Sequence, residues 1–79
     1  MPQYTQIILD YLEYADPELY ESLRDERLLL RKAQSLATEM ADEADRLHEI
    51  LSAQMPHEQA RVEAEARVIE EYLPMAGLQ

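Results

Sequence analysis

Between Pro17 and Pro56 the chain contains neither proline nor glycine. These are the residues that most strongly interrupt a helix, and nothing else in the stretch is a strong breaker. The residues Gln34, Ser35 and Thr38 form its weakest point. The pattern predicts one helix over 17–54, which at 1.5 Å per residue would run about 57 Å. A compact domain of this chain's size has a radius of gyration near 12 Å, so a straight helix of that length cannot fold up inside it.

The apolar pattern along this stretch is equally regular. Leu19, Leu23, Glu26, Leu30, Ala33, Ala37, Met40, Ala44, Leu47 and Leu51 recur at alternating spacings of four and three. That is a heptad seam with Glu26 as its polar member. Leu29, Leu36 and Ile50 widen it on one flank, and Tyr20, Ala41 and His48 on the other. Such a broad stripe suits a bundle better than a bare two-stranded coil.

Shorter helices flank the long one. Asp16-Pro17-Glu18 carries an N-cap, a first-turn proline and a first-turn acid. Pro56 marks another start and Pro74 a stop. The expected helices are therefore about 4–15, 17–54 and 57–73, forming a single domain over 1–73 with a flexible tail over 74–79. Tyr4, Ile8, Tyr11, Leu12 and Ala15 are the expected apolar face of the first helix. Val62, Ala66, Ile69 and Leu73, with Val68 and Tyr72 beside them, are that of the last. Short connections fold both back antiparallel. With one glycine, no asparagine and no alternating β-branched runs, the fold class is all-α, a long central helix with two shorter antiparallel ones, completed as a bundle by self-association.

Composition narrows the function classes. Seventy-nine residues make one small domain, which usually needs a staple or a partner. The absence of cysteine removes disulfides and thiolate metal sites. The N-terminal residues lack the basic and apolar regions of a secretory signal, and no run suits a membrane span. The expectation is a cytoplasmic protein without membrane contact. A net charge of −10 disfavours direct nucleic-acid binding and makes basic proteins the natural hetero-partners.

The positive charge is concentrated. Four of the seven bases, Arg24, Arg27, Arg31 and Lys32, fall in residues 24–32. If two central helices cross antiparallel between Ser35 and Leu36, these bases lie along Glu39, Asp42, Glu43 and Asp45 of the other copy. A parallel pair would set base on base. Flanking charges of this kind select orientation. The expected assembly is an antiparallel homodimer, with a tetramer as a further form. Its interface residues would be Leu23, Arg27, Leu30, Arg31, Ala33, Ala37, Met40, Ala44 and Leu47. A monomeric alternative breaks the helix near Ser35 to give four helices. The plainer reading of the charges is a solvated face with pairs inside one helix: Glu21 with Arg24, Asp42 with Arg46, and Glu63 with Arg67.

Signs of chemistry are sparse. Asp42, Asp45, His48 and Glu49 are weak metal candidates, because Asp45 and His48 share a face at the spacing of a di-iron Glu-x-x-His element. A second such element is missing, and no metal or cofactor is expected. His57-Glu58 opens like a zinc-protease motif, but Arg61 stands where its second histidine belongs. No phosphate loop or nucleophile constellation is present. The function expected is a non-enzymatic interaction or assembly module. The alternatives are a carboxylate–histidine metal bundle and an acidic nucleic-acid mimic that inhibits a basic protein. Tyr11, Tyr14 and Tyr20 are expected to plug one bundle end, with a partner-binding patch as the alternative.

Overall fold

A computed structural model describes residues 4–76. Over these the chain is all-helical: α1 (Tyr4–Ala15), α2 (Pro17–Asp25), α3 (Leu29–Leu51) and α4 (His57–Ala76). They form a rod of 45 × 19 × 18 Å with a radius of gyration of 13.8 Å. The most extensive packing joins α3 to α4, and α1 lies against α3, α2 and α4.

The central helix is not continuous over 17–54. It breaks well before Ser35, at Glu26–Leu28, and it ends at Leu51. Arg27 adopts a left-handed conformation with φ 62°. The Leu28 amide donates to the Leu23 carbonyl at 2.9 Å, and the Arg27 amide to the Arg24 carbonyl at 3.0 Å. This is a Schellman cap, with arginine in the position that glycine usually takes. The conformation costs a non-glycine residue about 1–2 kcal/mol. In return the turn lets α2 fold back with α1. Leu23 and Leu29, on either side of it, become 8% and 9% exposed. Around Gln34 and Ser35 the helix is intact, and the Thr38 hydroxyl donates to the Gln34 carbonyl at 3.0 Å.

The start of α2 follows its sequence signals. The Asp16 side chain accepts from the Leu19 amide at 3.2 Å, and Pro17 occupies the first turn. Pro74 does not stop α4, which runs on to Ala76. A proline removes one amide bond in a helix, and in the final turn that loss is offset by burying Ala76, which is 4% exposed in the core. Residues 74–76 of the expected tail are thus helical, and 77–79 lie outside the described residues.

The main core joins Tyr4, Ile8 and Leu12 of α1 to Leu23, Leu29, Ala33, Met40, Ala44, Val68 and Ala76. A smaller cluster of Leu51, Ala60 and Ala64 closes the α3–α4 turn. The buried face of α4 includes the expected Val68, Ile69, Tyr72 and Leu73 and departs from the expectation over the N-terminal half of the helix. Ala60, Ala64 and Val68 are fully buried, whereas Val62 is 67% exposed and Ala66 is exposed. Alanine lets helix axes approach closely, so the close contact of α3 with α4 selects the small-residue stripe over the bulkier one.

Candidate interaction surface

The αL turn turns apolar groups outward at the α2–α3 elbow. Leu28 is 42% exposed and Leu30 56%. Arg24, Arg27 and Arg31 are exposed around them, and Lys32 is half-buried. Beside the elbow lies an open hollow of about 260 Å³ lined by Leu9, Tyr20, Arg24, Arg27, Leu29 and Leu30. Its floor is apolar and two guanidinium groups border it. Arg24 and Arg27 of the basic block thus border this hollow together with Leu29 and Leu30. A second hollow of about 150 Å³ lies between α1, α3 and the end of α4, against Ile8, Leu12, Ser35, Glu39 and Met75, and it is this hollow that Lys32 lines.

The expected dimer seam is largely used within the chain. Ala33 and Met40 are fully buried, Ala44 is 5% exposed and Leu23 8%. Ala37 and Leu47 are half-buried against the same core. A second copy cannot reach these residues while α1 and α4 cover them. Of the expected interface, Arg27, Leu30 and Arg31 remain on the surface.

The acids expected to face the basic block are spread over α3. Glu39, Asp42 and Asp45 are exposed. Glu43 is paired with Arg46 at 2.8 Å, in place of the expected Asp42–Arg46 pair. The Glu63–Arg67 pair forms at 2.9 Å. Arg24 lies 4.0 Å from Asp25, in place of the expected pair with Glu21. All three pairs are exposed, and such pairs contribute little individually.

The metal candidates do not converge. Among the described residues, no group of three or more His, Asp and Glu side chains is placed to hold a metal ion. His48 instead clasps α3 to α4. Its Nε2 lies 3.2 Å from the His57 carbonyl and its Nδ1 3.5 Å from an Arg61 Nη. A guanidinium only donates, so Nδ1 accepts and Nε2–H donates. The His57 ring stands edge-on at 4.3 Å.

The tyrosines separate. Tyr14 is 90% exposed and plugs nothing, whereas Tyr4 is 7% exposed. The Tyr4 hydroxyl is buried without a hydrogen-bond partner. Burial, and then Glu65 and Asp45, raise its pKa above the usual 10.0, with Arg61 opposing. Tyr20 is half-buried and lines the elbow hollow. The elbow carries no signal in the sequence, because a glycine or asparagine at the cap is absent.

Among the described residues, no helix is long and apolar enough to cross a membrane. No family model matches the chain, and neither a curated protein nor a solved structure matches it.

Proposed function

We propose that the chain is a non-enzymatic interaction and assembly module, an antiparallel homodimer joined through the segment that carries α2 and α3. The observation that supports this most is the elbow. Leu28 and Leu30 are 42% and 56% exposed and sit inside the basic block of a chain whose net charge is −10. Apolar side chains supply affinity when they are covered. A ring of charge opposite in sign to the rest of the surface selects what covers them.

The acidic remainder of a second copy is such a surface. A two-fold axis near the elbow would set Glu18 and Glu21 of one copy beside Arg31 of the other. A parallel arrangement would bring the basic blocks together. Each exposed pair contributes only about 0.2–1 kcal/mol, so the leucines would provide most of the affinity and the charges the orientation.

The test is a distance between copies. Glu49 is exposed near the end of α3, and the chain has no cysteine. Chains carrying Glu49→Cys, labelled separately with donor and acceptor and then mixed, should show label separations beyond about 40 Å in an antiparallel pair, given the rise of the helix. Separations within about 15 Å would mean a parallel pair.

A further inference from the structure

We infer that Glu26–Leu28 is a hinge, and that the homodimer proposed above, on which this inference rests, forms by exchange of the α1–α2 hairpin between two copies. In the exchanged form the hinge straightens and residues 17–51 become one helix. Each hairpin then packs on the α3–α4 pair of the other copy. The partner replaces the chain's own α1 contacts with identical ones.

Four observations converge on this hinge. Arg27 holds a left-handed conformation, with φ 62°, that only glycine takes without penalty. Straightening removes that penalty. The first turn of α3 has no side-chain cap, because Leu28 occupies the N-cap position. The amides of that turn have no intrahelical acceptor. In a continuous helix the carbonyls of Asp25, Glu26 and Arg27 would accept from Leu29, Leu30 and Arg31.

The residues of the turn do not resist helix. Glu, Arg and Leu are good helix formers, and the four–three apolar spacing runs through Leu23, Glu26 and Leu30 without a phase break. Finally, Leu28 and Leu30 are exposed at the turn itself. Exchange brings the two hinges side by side, so the leucines of each copy cover those of the other.

The closed form keeps its two Schellman bonds, at 2.9 and 3.0 Å, and avoids the entropy cost of association. The exchanged form must offset both, so rising concentration favours it. Short connections under strain are a known route to exchange of elements between protomers.

Two substitutions at one position test the hinge. Arg27→Gly and Arg27→Ala both remove the guanidinium, so any effect of its charge is common to them. Glycine accepts the left-handed turn and weakens a continuous helix, and alanine does the reverse. Each preference is worth roughly a factor of five to ten, or about 30-fold per hinge and about a thousandfold per dimer with two hinges. Sedimentation equilibrium should give Arg27→Ala a dimer dissociation constant about a thousandfold below that of Arg27→Gly. Circular dichroism would show that both remain helical.

A spin-label distance between Ser22→Cys and Glu49→Cys, in dimers diluted with unlabelled chains, should be about 40 Å within one chain. Equal dissociation constants, or a clearly shorter distance, would leave the homodimer standing and overturn the hinge. If the unaltered chain and Arg27→Ala are both monomeric at millimolar concentration, the hinge fails together with the homodimer reading.

Discussion

Leu29 and Leu30 are neighbours in sequence, yet the first is 9% exposed in the core and the second 56% exposed at the elbow. The αL residue two positions earlier sets this phase. The two leucines should therefore respond differently to substitution. Leu29→Ala should destabilise the folded chain by about 2–3 kcal/mol, the usual cost of emptying a core leucine site. Leu30→Glu should leave thermal stability within about 0.5 kcal/mol for a monomer and weaken self-association at least tenfold. Chemical denaturation and sedimentation equilibrium read the two effects separately.

The buried Tyr4 hydroxyl has no partner, so removing it should not cost stability. Tyr4→Phe should be neutral or stabilising by up to about 1 kcal/mol. The folded pKa lies above the ordinary 10.0. The unfolded chain therefore loses this proton first as pH rises. Stability is fully present below pH 10 and falls as pH climbs past it. A denaturation series from pH 8 to 11 should show a flatter alkaline limb for Tyr4→Phe than for the parent.

His48 joins the His57 carbonyl and Arg61 across the α3–α4 turn, at 3.2 and 3.5 Å. The contacts are exposed, so the clasp should be weak. His48→Ala should cost about 0.5–1.5 kcal/mol. Hydrogen exchange should quicken at the first amides of α4 and leave those of α1 unchanged.

The small-residue face of α4 makes a sharp contrast between two alanines. Ala64 is fully buried and Ala66 is exposed. Ala64→Leu should push α4 away from α3 and cost about 1–3 kcal/mol. Ala66→Leu should change stability by less than about 0.5 kcal/mol. Thermal unfolding of the pair checks which stripe is inside.

These assignments show how far the sequence could be read. Helix content, the Asp16-Pro17 start, and the Tyr4, Ile8 and Leu12 face were all legible, because local capping and periodicity determine them. The elbow was not. Nothing at Glu26–Leu28 resembles a cap, and the turn forms because it closes a core between residues distant in sequence. The N-terminal half of the α4 face was not legible for a related reason. Val62 and Ala66 satisfy the helical period as well as Ala60 and Ala64 do, and only packing against α3 separates them. Of the candidate site, the clustering of base was visible in the chain. Its union with exposed leucines was not, because that depends on the phase set at Arg27.

The most direct test is the light-scattering mass across a size-exclusion peak, loaded from micromolar to millimolar concentration at low and high salt. Self-association through the elbow predicts a mass that approaches twice 9.2 kDa as concentration rises. High salt should shift the midpoint toward monomer by screening exposed charge pairs. A mass fixed at 9.2 kDa over the whole range would contradict it.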